Sequence, residues 1–465
     1  MAFHAPFARK MLGASVLALS VLAAPLSAET LFPAPAEFSG GLRAAAAQGA
    51  AILAGGEVNV TGQGLVPGQK LTLQRGTTIL SGDAPLVADA EGRVSASFTL
   101  PADAVPGLHP IVVLTEEPSS ATVITMKISP DIPLSGAEKF DILAKPLVPG
   151  LYQSAYSHKN NALFVASAVG RPPVQASALV KVDPETLEVV ASATPPEAEP
   201  LSDGRVGLIA VYGVDVDDAN DTVWVTNTRQ NTVAVYSQSD LSLVKQFAPG
   251  TVSHARDVVV DEARSRAWVS AALTNALEVF DTATLEKVAT VEVPSGKRGE
   301  TFGTMSLHLD AESGRIFTVS MGTNEAAVID VETHEATVFD LPGAKSASGV
   351  AHDPVTDRLF VASQQSDNLL IVDLATQEVL HDVAVGAGAL NVEFEPVGRL
   401  AYVSNRGAGT LTVVSPEGDI VANLDNGSYP NHAWADGQGN IWAVNKAQGA
   451  EDPRGDHLTR IRLAE

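Results

Sequence analysis

The chain has 465 residues, no cysteine, and 54 acidic against 30 basic side chains, a formal net charge of -24. The missing cysteine removes disulfides, thiolate metal sites, c-type haem attachment and cysteine nucleophiles together. The acidic balance repels phosphate backbones and sets nucleic acid aside as a partner.

In chain order, Arg9 and Lys10 precede an apolar run over residues 11–24, and Leu26-Ser27-Ala28 forms a small-residue cleavage site after Pro25. The run is too short to span a bilayer, so residues 1–28 are predicted to be a signal peptide. Export to a bacterial periplasm or beyond follows, with no transmembrane segment once the signal is removed. Residues 29–132 are predicted to hold an Ala/Gly-rich lead-in and a small domain. Its segments VNVTGQGLVPGQKLTLQ, GRVSASFTLP, PGLHPIVVL and ATVITMKI alternate apolar and polar residues between Gly/Pro turns. That pattern points to a small β-sandwich, immunoglobulin-like in kind.

From residue 133 onward one pattern repeats. The aromatics Phe164, Trp224, Trp268, Phe317, Phe360, Tyr402 and Trp442 each open a strand, at intervals of 60, 44, 49, 43, 42 and 40 residues. Asp217, Asp261, Asp310, Asp353 and Glu395 stand seven positions before their aromatic, Ser157 takes that place in the first copy, and Asp436 lies one position closer. Four short strands in each such period make a propeller blade: a sheet this small buries its faces only by stacking on neighbours. Asp183, Asp281, Asp330 and Asp373 follow the third strands and are placed to cap tight turns. The last copy supplies only three strands, and LAKPLVPG before the first copy resembles a fourth. Residues 133–465 are therefore predicted to be a seven-bladed β-propeller closed by an N-terminal strand, eight blades being the alternative raised by the long first interval.

The strings WVTNTRQNTVAVYS, FVASQQSDNLLIVDLATQEVL and YVSNRGAGTLTVVS resemble the YVTN repeats of the YncE-like family over about residues 138–465. The resemblance implies an all-β, seven-bladed and commonly exported propeller acting in binding or scaffolding, here with the extra immunoglobulin-like domain in front.

A propeller takes small ligands at a mouth of its central channel. Residues leading into the innermost strands are placed by the repeat at Tyr212, Arg256, Met305, Ser348, Leu390 and Asn431. Tyr152, His254, Asp257, Phe302, Asn391, Tyr429 and His432 fall beside them. This mixed polar and aromatic rim suits an organic ligand. His254, Asp257 and His432 are the candidate metal ligands, three donors being the minimum for a divalent site. The expectation is a monomeric, non-enzymatic binding or scaffold protein that holds a small ligand or a partner protein in the periplasm or cell envelope. The alternative is a metal-dependent enzyme of lactonase or lyase type, or a periplasmic metal-binding protein. No catalytic residue is assigned, and a divalent metal is the one cofactor the donors admit.

Overall fold

The computed structural model describes residues 36–46, 49–272 and 274–464; the signal segment assigned to residues 1–28 lies outside them. Among the described residues the fold is all-β, with three-residue 3-10 turns and no α-helix. Seven four-stranded antiparallel sheets succeed one another. Their strands span 151–193 (blade 1), 214–246 (blade 2), 255–292 (blade 3), 304–340 (blade 4), 347–384 (blade 5) and 389–425 (blade 6). Blade 7 joins Pro430–Ala435, Asn440–Asn445 and His457–Leu463 to Phe140–Pro146, with Phe140 opposite Leu463 and Pro146 opposite His457. The long first interval holds no further sheet: between blades 1 and 2 the chain makes only an isolated Glu197–Leu208 bridge.

The seven anchor aromatics hold the ring together. All are buried, none more than 2% exposed. Each sits in a core shared with the following blade: Trp224 with Val258 and Ala267, Trp268 with Leu307 and Ile316, Phe360 with Phe394 and Ala401. Trp442 of blade 7 lies with Leu151 and Val165 of blade 1, which closes the circle. Trp442 also stacks on Tyr156, with ring centroids 6.2 Å apart. Interlocked aromatic wedges remove large apolar areas from water, the dominant favourable contribution to such a ring.

The acidic landmarks before these aromatics cap the first turn of each blade. Glu395 accepts the amides of Val397 and Gly398 at 2.8 and 2.6 Å, and Asp436 those of Gln438 and Asn440 at 2.8 and 3.1 Å. Asp353 accepts the Val355 amide and a two-pronged contact from Arg399 at 3.0 and 2.5 Å. Asp183, Asp281, Asp330 and Asp373 accept the amide three residues on, at 2.8, 2.8, 2.7 and 2.8 Å. Those hydrogen bonds hold the four carboxyls below the usual carboxylate range.

The front domain is a separate pair of sheets. Gly41–Ala46, Glu57–Gln63 and Val94–Thr99 form one, and Lys70–Arg75, Gly107–Glu116 and Ser120–Ile128 with two short strands form the other. Alternating side chains of both, among them Val58, Val60, Leu71, Leu73, Ile111 and Val113, fill one core. The domain docks on blades 5 and 6, where Lys127 Nζ meets Asp367 at 2.7 Å and the Gln364 carbonyl at 2.9 Å. Asn423 also donates to the Ile132 carbonyl at 2.8 Å.

Candidate functional site

The innermost strands surround a polar channel whose two ends differ in charge. At the end where those strands begin, a cavity of about 180 Å3 is lined by Tyr152, Tyr212, Arg229, His254, Arg256, Asn391, Asn431 and His432, among others, and by no carboxylate. A second cavity, about 1080 Å3, runs from the interior to the far end; Asp215, Asp218, Asp257, Glu262, Glu393 and Asp436 line it, with no Lys or Arg. Gln153, Asn391 and His432 border both cavities, so the two lie next to each other inside the ring.

At the basic mouth, cations stack on tyrosines. Lys446 Nζ sits 3.5 Å from the centre of the Tyr152 ring, and Arg406 lies 4.7 Å over Tyr429. Tyr152 meets Tyr212 edge-on at 4.5 Å. Arg406 donates to Asn431 Oδ1 at 2.5 Å, and Asn431 donates to the Tyr152 carbonyl at 2.8 Å, tying blades 6, 7 and 1 together. None of Arg229, Arg256, Arg406 and Lys446 is in salt-bridge contact with a carboxylate among the described residues. The cost shows in protonation. Burial, with Arg406 and Arg229 nearby and Asp456 opposing, pushes the Lys446 amine down to about 7. Burial and the charges of Arg229 and Arg256 lower His254, and burial with Arg256 takes His432 down to about 3. Arg256 is lowered by burial and still cationic, since a guanidinium does not lose its proton in proteins. Its Nε is sealed from solvent without an acceptor, as is Nδ1 of His432.

The turn before the first strand is strained here. The residue leading into the innermost strand takes a left-handed conformation in six blades: Gly150, Gly303 and Gly388 in three, but His254 (φ 48), Ser346 (φ 57) and Tyr429 (φ 44) in the others. Glycine adopts this conformation freely, whereas a side chain costs about 1–2 kcal/mol. His254 and Tyr429 hold it at the mouth.

The structure disperses part of the sequence-derived set. Tyr152, Tyr212, His254, Arg256, Asn391, Asn431 and His432 line the mouth cavity, and Tyr429 lies under Arg406 beside it. Phe302 and Met305 belong to the cores between blades 3 and 4 and between blades 4 and 5, packed among apolar side chains. Asp257 lies deeper, on the acidic cavity, and accepts the Leu307 amide of blade 4 at 3.0 Å. Asn391 likewise accepts the Ala433 amide of blade 7 at 3.0 Å. Polar side chains of one innermost strand thus latch the next, as Asp215 does on the Val260 amide at 2.7 Å. The donors proposed for a metal do not converge: His254 lines one cavity, Asp257 the other and His432 both, and no group of three or more His, Asp or Glu among the described residues is arranged to hold an ion. His352, on the innermost strand of blade 5, meets the Asp357 side chain at 2.9 Å.

Arg229, Arg406 and Lys446 escaped the sequence reading. Arg406 and Lys446 stand four residues after their anchor aromatic and Arg229 five. One residue before Arg406 and Lys446, at Asn405 and Asn445, the repeat carries a buried turn asparagine. A search of the next position for departures from neutral residues finds the cations.

A ring of seven sheets about a polar channel, with a small β-domain attached, defines this as a seven-bladed β-propeller protein. No family model matches the chain. Over 341 residues, 70% of this chain and 91% of the relative, it is 25% identical to the protein YncE of Salmonella typhimurium; with YncE of Escherichia coli K12 it is 24% identical over 274 residues, 55% and 70% of the two chains. The chain is a β-propeller similar to the YncE proteins, with an additional N-terminal small β-sheet domain. Its fold is shared with enzymes as well. The virginiamycin B lyase of Staphylococcus aureus, solved as an inactive variant with quinupristin, superposes with a TM-score of 0.54 at 12% identity, covering 70% of this chain and all of the lyase. A streptogramin B lyase gives 0.52 at 11%, covering 71% of this chain and all of that one. At such identities the likeness is one of fold. No helix among the described residues is long and apolar enough to cross a membrane.

Proposed function

We propose that this is an exported, ligand-binding propeller whose basic channel mouth holds a small organic anion. The observation that carries the reading is the gathering of Arg229, Arg256, Arg406 and Lys446 round tyrosines, with no carboxylate lining the cavity, in a chain of net charge -24. Burying unpaired cations is costly, and an anion offsets that cost by charge-assisted hydrogen bonds. The test is isothermal titration with hexanoate and benzoate. Binding should weaken at least tenfold in Arg256→Met, about 1.4 kcal/mol. Equal affinity in the parent and Arg256→Met, or no binding by either, sinks the reading.

A second reading is catalytic. The structural neighbours include lyases, and Lys446 has an amine near neutrality, suited to accept a proton from a bound substrate. A lyase cleaves without adding water. Quinupristin, the molecule held by one neighbour, is the probe: conversion to a product of unchanged mass, abolished in Lys446→Met, supports turnover. Recovery of intact quinupristin after long incubation speaks for binding alone.

A further inference from the structure

The basic mouth is one end of a longer channel, and the opposite polarity of its interior asks for a ligand with two ends. We propose that the channel binds an extended zwitterion along its axis, the carboxylate on Arg256 and a terminal ammonium among Glu393, Asp215 and Asp257. The proposal rests on the reading of the mouth as an anion site and names the ligand class of that site.

Three observations support it. The two cavities share Gln153, Asn391 and His432 as lining residues, so the basic mouth and the acidic interior lie back to back across these three side chains, which a ligand reaching both ends would pass. His432 lines both cavities and is held neutral by burial and by Arg256, so it places no charge between the two ends. Of the acids beyond it, Glu393 and Asp215 lack a counter-ion. Burial pushes Glu393 up to about 8 and Asp215 up to about 7, the Ala435, Val216 and Val260 amides pull back, and the remaining influence on each is repulsion from other carboxylates. Asp257 is raised by burial and has only Arg256 as a neighbouring cation. Asp215 and Asp257 accept amides of adjacent blades at 2.7 and 3.0 Å and the Val216 and Val258 amides besides, whereas Glu393 has the Ala435 amide alone, which leaves it the freest acceptor. A buried ammonium is tolerated where carboxylates pair with it, and those carboxylates in turn ionise at lower pH.

The experiment compares two ladders at pH 7.5: ω-amino carboxylates of three to eight carbons and alkanoates of the same lengths, titrated into the full chain. One length of amino acid should bind at least tenfold more tightly than its alkanoate, with proton release seen as a dependence on buffer ionisation enthalpy. In Glu393→Gln, a near-isosteric change, that advantage should shrink to near one. Asp215→Asn, checked for folding by its melting curve, should reduce it several-fold. If alkanoates bind through Arg256 and no amino acid exceeds them, the zwitterion proposal fails and the anion site stands. If neither ladder binds, both fail. A preference that survives Glu393→Gln and Asp215→Asn also overturns the assignment.

Discussion

Charges at the turns and charges at the channel mouth follow opposite rules. Asp353, Glu395 and Asp436 recur at matching places and spend their oxygens on amides and an arginine of the scaffold. Arg229, Arg256, Arg406 and Lys446 come from four blades; Arg406 and Lys446 stack on tyrosines of the next blade in the ring, and Arg256 leaves its Nε without an acceptor. What repeats from blade to blade satisfies the fold internally. What breaks the repeat, the four cations of the mouth, has no carboxylate in salt-bridge contact among the described residues.

The comparison can be broken most forcefully at an anchor. Trp268→Ala removes a fully buried wedge between blades 3 and 4, and should cost about 3–5 kcal/mol in urea unfolding. A loss below about 1 kcal/mol would mean that the wedge does not hold the ring. Next comes Asp353→Asn, which unmakes the fork to Arg399. Because Arg399 is partly exposed, water screens the loss, and about 1–2 kcal/mol is expected. Hexanoate affinity at the mouth should stay as it was, which separates scaffold charge from site charge.

Two smaller effects sharpen the contrast. Lys446 has a lowered folded value, about 7, so its charge is present below that pH and lost above it. Hexanoate affinity should therefore fall several-fold as pH rises from 6 to 8.5, and Lys446→Met should flatten the profile. Glu393 runs the other way for stability. Its value is raised from 4.5 to about 8, so the folded chain holds an extra proton between those limits and stability falls as pH rises through them. Glu393→Gln should lose that slope in melts recorded from pH 4.5 to 8. Smallest is His254→Gly: relief of the left-handed turn, partly cancelled by the entropy of glycine in the unfolded chain, should change stability by under about 1 kcal/mol, while hexanoate binding weakens modestly.

Periodicity made the ring legible. Seven aromatics, spaced 40–49 residues apart after a longer first interval, betray seven sheets, since each wedge must meet its neighbour in the same way. The alternation of 58–74 and 92–101 exposed the front domain for the same reason: a half-buried strand writes its pleat into the sequence. The mouth was legible only in part. Arg256 and His254 sit where the repeat turns into the channel, so counting finds them. Arg406 and Lys446 reach the tyrosines and Asn431 of that rim from other turns in blades 6 and 7, and only the curvature of the ring brings them together. Phe302 and Met305 were misplaced because adjacent positions in that turn face opposite ways, one set into the rim and the other into the seam between sheets.

The segment that completes blade 7, Phe140–Pro146, leaves the ribosome before any blade exists, and its partner, His457–Leu463, emerges after all the others. The propeller is therefore a clasp that latches last. Until then six sheets are held open with a raw edge at each side, where a holding chaperone or a stray strand from another copy can compete. A protease cut between Pro146 and Leu151 in the folded protein would leave the clasp bound only by its hydrogen bonds and side chains, and would convert a locked circle into one that can be unzipped by pulling on the front domain.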